Sequence, residues 1–457
     1  MKKISAVIAI AAALALGTAG APRSVWAVDF SPSGKIQGLA GVGLGFDKKN
    51  AGDFLLGNLR LDGSLKMYEG DCSAFIDGFL MGDAVGSQSS FQAADFVCGD
   101  GSFRLRLKEA WMDFDGGFWA LRIGRQSTAW GKADGLQVAD VLCPKDENTI
   151  LAREYADSRL SVDAARLTFK NDTIVFDAYW IPFFSPSALP LADKNPLKKI
   201  MVPKSVSLGT AGGAAIPVMD VTKDNFELPS LSIENSEGAA RLAAFFPFAD
   251  FSLYGFYGFD REPCLTYNLV RDAGGNPQAL AVNGCYKRML MVGADAAIPI
   301  KEVVLRLEAA VFPQRTFAAS AMEQIAGGEK FRDKNQLVAL AGFDWTPSGW
   351  TITGQYYLDA LLDGASHLDR EAYRHQTSLS VSKSFFQDTL NLSLAWLFGL
   401  NDFDSLIKLQ AKYSLTDSLA ATLGADLFLN GPDKDKQGFY GAYEELSSVW
   451  LKAEFNF

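Results

Sequence analysis

Apolar and polar residues alternate along most of this chain, in segments of roughly ten to fourteen residues that more polar stretches separate. In one such segment, 58–67, leucine, glycine and methionine alternate with asparagine, arginine, aspartate, serine and lysine. The last nine residues, 449–457, show the same pattern and end on Phe457. This alternation predicts β-strands with one apolar and one polar face. A wet inner face favours a barrel around water over a sandwich with a dry core.

Eighteen strands can be placed on this pattern. They begin near residues 35, 55, 73, 102, 118, 160, 173, 237, 250, 285, 302, 334, 349, 373, 389, 404, 418 and 446. Short turns alternate with longer loops, of which 126–159 and 182–236 are the longest. This arrangement is typical of outer-membrane barrels with both termini in the periplasm. The sequence therefore predicts an all-β fold, a transmembrane antiparallel up-and-down β-barrel of about 18 strands, within a range of 16 to 18, with long outer loops.

The first 27 residues have the features of a secretory signal peptide. Two lysines precede an apolar run, 4–16, that is too short to span a bilayer, and Val25-Trp26-Ala27 is an acceptable cleavage site. No later segment approaches the roughly 20 apolar residues of a membrane helix. We expect a cleaved leader, 1–27, and one barrel domain, 28–457. The first strand starts so soon after the leader that we expect no N-terminal plug.

Charge and histidine content exclude several function classes. The net charge of −10 argues against binding nucleic acid. Barrel hydrolases depend on a histidine with a positioned partner, whereas His367 and His375 lack neighbours that suit a catalytic dyad or a metal site. We therefore expect no enzyme, no catalytic residues, no metal and no cofactor.

The most specific local pattern follows the fifth predicted strand. Gly124-Arg125-Gln126 precedes Trp130-Gly131 and Asp134. This motif resembles a signature of largely uncharacterised porin-like outer-membrane proteins, and the architecture more distantly resembles 18-stranded channels of the alginate-export type. The resemblance implies an outer-membrane channel and no particular solute.

These motif residues can also be interpreted physically, as an anchor for the loop 126–159. Gly124 permits a close approach or a bend where the strand leaves the wall. Arg125 can bind a loop carboxylate, with Asp134, Asp140 and Asp146 as candidates, and Trp130 can pack on the inner wall. Direct contact with the solute is the alternative.

Six bases share the inward parity of three early strands and form a predicted basic ladder. They are Arg60, Lys66, Arg104, Arg106, Lys108 and Arg122. Opposing acids would turn the ladder into a structural network. Without such partners it would create a field that favours anions or polar solutes.

The loop 182–236 is long and apolar and contains seven prolines. A loop of this length is normally functional or disordered. We expect it to gate or plug the barrel; surface adhesion and contact with a hydrophobic substrate are the alternatives.

Five cysteines suit an oxidising compartment. We predict that Cys264 pairs with Cys285 and Cys98 with Cys143, whereas Cys72 lies in a periplasmic turn and stays free.

The sequence as a whole predicts a porin-like channel of the cell outer membrane. Small polar solutes, with anions as one candidate class, would diffuse through a lumen narrowed by the loops 126–159 and 182–236. The alternatives are a transporter of hydrophobic or amphipathic molecules and a surface-binding scaffold. The expected partners are outer-membrane lipid, a small-molecule solute and the barrel-assembly machinery, which would bind the strand that ends in Phe457. The oligomeric state is left open.

Overall fold

The structure, a computed structural model, describes residues 28–45, 51–153, 155–207, 215–433 and 438–457. The predicted signal peptide lies outside these residues. Within them, eighteen strands form one closed antiparallel barrel, which confirms the predicted fold and strand number. The strands are β1 Asp29–Gly43, β2 Phe54–Glu69, β3 Cys72–Asp83, β4 Phe103–Asp115, β5 Trp119–Gln126, β6 Val162–Lys170, β7 Ile174–Ile181, β8 Glu237–Phe246, β9 Ala249–Phe259, β10 Arg288–Ile300, β11 Val303–Ala318, β12 Phe331–Trp345, β13 Trp350–Leu361, β14 Tyr373–Phe385, β15 Leu390–Gly399, β16 Ser405–Ser414, β17 Leu419–Leu429 and β18 Ser448–Asn456.

The first and last strands close the barrel. Lys35 lies opposite Asn456 and Gly43 lies opposite Ser448. Beyond β18, the N–H of Phe457 donates to the carbonyl of Gly34 at 2.9 Å, and the N–H of Gly34 donates back at 2.8 Å. Backbone groups that face hydrocarbon have no water to bind, so a sheet that spans a bilayer has to pair its two edges. The terminal strand provides that pairing.

The predicted alternation corresponds to two different faces of the wall. Leu59 and Leu61 on β2 are exposed on the outer face, whereas Asp62, which follows Leu61, is buried on the inner face. A β-bulge interrupts the alternation on β4, where Asp77 pairs with Glu109 but Gly78 pairs with Leu107. The extra residue is Lys108, so the residues that face inward change parity beyond it.

One end of the barrel carries turns of two to four residues, and the other carries the longer connections. We name four of these loop 2 (84–102), loop 3 (127–161), loop 4 (182–236) and loop 5 (260–287). The loops contain short strands at Asp95–Cys98, Ser205–Ser207, Ala215–Pro217 and Phe226–Glu227, a hairpin of Cys264–Arg271 and Pro277–Cys285, and short helices at Pro196–Met201 and Ala321–Ile325. Single 3-10 turns lie at Ala156–Ser158, Lys223–Asn225, Ile233–Asn235, Pro347–Gly349 and Gly441–Leu446. No helix in the described ranges is long and apolar enough to cross a membrane.

The outer face is expected to tolerate charge poorly. Leu409, near the middle of β16, is 42% exposed on that face, whereas its neighbour Gln410 points inward. We expect Leu409→Arg to lower the free energy of unfolding in lipid by about 2–4 kcal/mol, because the guanidinium would enter hydrocarbon. Urea titration in vesicles measures this loss, and Gln410→Arg is the matched control with a much smaller effect. Equal losses in both variants would contradict the assigned orientation of β16.

Candidate functional site

Loop 3 enters the barrel and its tip docks on the wall formed by β9–β13. Three wall side chains bind the tip, namely Tyr254, Glu308 and Gln355, and Asp295 accepts from the Tyr254 hydroxyl; we call these four residues the tip cradle. Glu308 accepts the backbone N–H groups of Lys132 at 2.7 Å, Ala133 at 2.9 Å and Ala139 at 2.8 Å. Gln355 accepts from the N–H of Asp134 at 2.9 Å and donates to its carbonyl at 2.8 Å.

The return limb of loop 3 contacts a second sector of the wall, β16–β18. The N–H of Ala152 donates to the Asp426 carboxylate at 2.6 Å, and Lys408 donates to the carbonyl of Arg153 at 2.8 Å. Leu151 is buried in an apolar cluster with wall residues that include Trp450. Loop 3 is therefore fixed on separate sectors of the wall and extends across the lumen between them.

The two upper members of the basic ladder fasten loops. Arg104 and Arg106 bind the same oxygen of Asp95 in loop 2, at 2.5 and 2.6 Å. Both also bind one oxygen of Asp146 in loop 3, at 2.9 Å each. The two guanidiniums and the Asp95 carboxylate are buried, so a solute in the lumen cannot readily contact them. The paired acids make this part of the ladder a structural network, one of the two predicted alternatives.

The lower members of the ladder remain at the lumen surface beside partner acids. Lys108 binds Asp77 at 2.7 Å and keeps 40% of its side chain exposed. Arg122 binds Asp113 at 3.1 Å and stacks on the ring of Trp111 at 3.7 Å.

The other two bases of the ladder lie on β2. Arg60 binds Asp62 at 2.5 Å, and the ammonium of Lys66 lies 4.7 Å from the ring centre of Tyr68. These bases can therefore contact a solute more easily than Arg104 or Arg106.

The motif residues lie where loop 3 leaves β5, but one predicted contact is wrong. Arg125 binds Asp163 of the adjacent strand at 2.8 Å, and not Asp134, Asp140 or Asp146. Asp140 is instead taken by Arg159 at 2.5 Å, within loop 3 itself. Asp163 lies opposite Arg125 on the neighbouring strand, and the separation of the two residues along the chain gave no sign of this contact.

The remaining motif residues support the start of the loop. A Cβ at Gly124, whose φ is +129°, would overlap the carbonyl oxygen of Ala110, so only glycine allows β4 and β5 to approach here. Gln126 donates to the carbonyl of Ala164 at 2.9 Å. Trp130 is buried on the inner wall, with its ring centre 5.0 Å from that of Tyr254.

Loops 4 and 5 pack directly on loop 3. The backbone of Ala188 bridges Lys145 at 2.7 Å and Glu147 at 2.8 Å. Buried Arg261 of loop 5 binds Glu237 of the wall at 2.9 Å and the carbonyl of Leu142 at 2.8 Å. Polar contacts thus join the three loops into one layer.

The apolar part of the inner wall is covered by loop 3. Val138, Ala139 and Leu142 of the loop form one buried cluster with wall residues that include Phe256 and Met291. The loop therefore supplies the packing partner that an inward-facing apolar side chain requires.

A second basic patch, which the sequence did not reveal, lies on β11, on β14 and in the loop between β13 and β14. Arg315 binds Asp260 at 2.6 Å and Arg370 binds Asp359 at 3.0 Å. Arg374 lies 4.1 Å over the ring of Phe439 and forms no ion pair among the described residues. The outward parity of His375 could have indicated that Arg374 faces inward.

Burial shifts the ionisation of several loop groups, among them Lys145 of loop 3 and Asp95 of loop 2. It lowers the pKa of the Lys145 ammonium to about 8, although Glu147 and Asp140 act in the opposite direction. It also raises the pKa of Asp95, which Arg104 partly offsets. The charge of Lys145 therefore changes close to neutral pH.

The five cysteines, all within the described ranges, are free thiols, so neither predicted disulfide is formed in the structure. Cys264 and Cys285 lie directly opposite one another in the loop 5 hairpin, and this disulfide stays a prediction. Cys143 is buried under loop 3, whereas Cys98 is exposed in loop 2, so the structure does not support that second pair. Among the described residues, no group of three or more His, Cys, Asp or Glu side chains could hold a metal ion.

Comparisons with known proteins show similarity in fold and not in sequence. No family model and no curated protein matches the chain. OccK8 (OprE) of Pseudomonas aeruginosa is similar with a TM-score of 0.50 and 9% identity, over 94% of this chain and 98% of that one. OccAB3 of Acinetobacter baumannii is similar with a TM-score of 0.50 and 9% identity, over 94% and 99%. The chain shares their fold, while membership of the family with the Gly-Arg-Gln and Trp-Gly motif stays a prediction.

The network around Asp95 is expected to stabilise the loop layer strongly. Asp95→Asn would leave two buried guanidiniums with one shared carboxylate, at a cost of about 3 kcal/mol in the free energy of unfolding. Asp100→Asn, an exposed change in the same loop, is the control and is expected to cost less than about 0.5 kcal/mol. Urea unfolding measures the free energy lost in each variant. A loss in Asp95→Asn as small as that in the control would show that the buried cluster does not hold loop 2.

Proposed function

We propose that this protein is an outer-membrane channel through which small polar solutes diffuse. The supporting observation is loop 3, fixed at its tip by the tip cradle and at its return limb by Asp426. A barrel of this strand number leaves an aqueous lumen. A segment held across that lumen narrows the passage and leaves water on either side. Loop 4, which bonds to loop 3 through Ala188, adds to the constriction at the outer end.

The distribution of charge supports solute selection by an electric field. Arg315 and Arg374 lie on the wall, and Arg370 lies in the loop between β13 and β14. Glu147 lies on loop 3, and Glu262 lies on loop 5. Charged groups of both signs around a narrow passage create a field that acts on charged or dipolar solutes. In the lower lumen, Arg60, Lys66, Lys108 and Arg122 would extend the attraction for anions, whereas Arg104 and Arg106 hold the loops.

The motif residues have a supporting role in this proposal. Gly124, Arg125 and Gln126 fix the exit of loop 3 from the wall, and Trp130, Gly131 and Asp134 fix its path to the tip. A transporter of hydrophobic molecules is less well supported, because loop 3 itself covers the apolar inner wall. In this scheme the leader 1–27 directs export and the strand ending in Phe457 directs barrel assembly.

Conductance in a planar bilayer tests the function. We expect the refolded protein to form an open pore whose reversal potential under a salt gradient shows a preference for anions. Arg374→Ala should reduce that preference, because it removes a lumen cation that forms no ion pair within the described residues. Arg271→Ala, at the exposed tip of the loop 5 hairpin, removes the same charge outside the lumen and should change little. Absence of conductance in folded wild-type protein would contradict the channel function.

The preference for anions should also depend on pH. Lys145 loses its positive charge as the pH rises through about 8, and Glu262, whose pKa desolvation also raises to about 8, becomes negative over the same range, so anion preference should fall between pH 7 and pH 9. The titration of Lys145 by itself should make folded loop 3 more stable as the pH rises, because the lowered pKa means that burial disfavours the charged form. Lys145→Arg keeps the charge and should abolish this part of the pH profile. An unchanged profile in that variant would assign the titration to another group.

A further inference from the structure

The tip of loop 3 rests on a single buried carboxylate. Glu308 is 3% exposed, and its two oxygens together accept three backbone N–H groups of the loop. Its partner Lys132 is 176 positions away along the chain. We propose that Glu308 is the positioning residue that sets the width of the constriction, an inference that rests on the channel function proposed above.

Glu308 differs from the other residues that bind the tip, because its side chain is a carboxylate that both limbs of the tip share. A carboxylate accepts only, and hydrogen bonds from N–H groups to an ionised acceptor are shorter and stronger than neutral ones. Here one oxygen takes Lys132 and Ala133, and the other takes Ala139, so both ends of the tip converge on one side chain. Without Glu308, buried backbone donors on both limbs of the tip would have no acceptor.

Gly131 fits this arrangement closely. Its φ is +88°, and a Cβ at this position would overlap the Glu308 carboxylate. Its N–H donates to the Tyr254 hydroxyl at 3.2 Å. The glycine of the Trp-Gly motif therefore lets the loop backbone lie directly on the carboxylate.

The wall around Glu308 indicates that the acid serves the loop and not the barrel. Asp295 lies directly opposite Glu308 on β10, so two acids face each other on the inner side of the wall. Like charges in that position destabilise a sheet. The Tyr254 hydroxyl donates to Asp295, and Lys132 of the loop lies near it, while the loop N–H groups bind Glu308. Asp295 thus has partners on the wall itself, whereas the three backbone donors to Glu308 all come from docked loop 3.

The position of the tip then determines which solutes pass. Gln355 and Arg306 also bind the tip, at the carbonyl groups of Asp134 and Lys132. Neither replaces the acceptor that both limbs share. Loss of Glu308 would let the tip move off the wall while the barrel stays closed.

Conductance and the passage of neutral sugars of graded size test this role. We expect Glu308→Ala to raise single-channel conductance severalfold and to admit tri- and tetrasaccharides that wild-type protein excludes in liposome swelling. Glu308→Gln keeps one acceptor oxygen, so its conductance and the size of sugar that it admits should lie between those of the wild type and of Glu308→Ala. Glu454→Ala removes a wall glutamate that pairs with Lys35 and should behave as wild type. Heat-modifiable gel mobility shows whether each barrel is folded.

A coupled pair of variants makes the test specific. Gly131→Ala should widen the pore in wild-type protein, because the new methyl group meets Glu308. In the Glu308→Ala background the overlap is gone and only the strain of an alanine at a φ of +88° remains, so the same change should have a smaller effect. Additive effects of the two changes would contradict a direct contact.

Hydrogen exchange separates this inference from the proposed function. The amides of Lys132, Ala133 and Ala139 should exchange slowly in wild-type protein and many times faster in Glu308→Ala, whether or not the protein conducts. Folded wild-type protein without conductance would overturn the channel function alone. A conducting wild type with unchanged conductance and unchanged exchange in Glu308→Ala would overturn the role of Glu308 alone.

Discussion

A wide barrel encloses more space than the side chains of its own wall can fill, and this constraint governs the whole structure. The backbone requirement is met by closing the sheet between β1 and β18. The lumen then has to contain water or another part of the chain. Loop 3 supplies that part, with Val138 and Leu142 against the apolar wall and its backbone donors on Glu308. The constriction is thus a consequence of how the lumen is filled.

Buried charges specify where the loops lie. A buried ion is costly unless it is paired, so each charged wall residue admits few loop positions. Arg104 and Arg106 accept a loop only where Asp95 and Asp146 meet them, and Arg261 requires the carboxylate of Glu237. Apolar packing alone would let loops of this composition slide. The ion pairs restrict the loop layer to a single arrangement. They also occupy Arg104 and Arg106, two bases that the sequence suggested as contacts for the solute.

The sequence predicted the wall far better than the site. Alternation of apolar and polar residues is local, so the number of strands and the extents of loops 3 and 4 could be read from it. The β4 bulge was missed because Lys108 continues the alternation by residue type. Contacts such as Glu308 with Lys132 join distant parts of the chain, and no local pattern reveals them. Arg374 could have been predicted as an inward-facing base, because the alternation along β14 places it on the inner face.

In the channel that we propose, the docked tip of loop 3 limits the passage through the barrel. The most direct measurement is the single-channel conductance of a variant in which a short Gly-Ser linker replaces the tip, 131–139. This variant keeps Asp140, which binds Arg159 within loop 3, and Asp146, which binds Arg104 and Arg106 of the wall. We predict a folded barrel with a conductance several times that of the wild type. An unchanged conductance would contradict it and place the narrowest point elsewhere in the lumen.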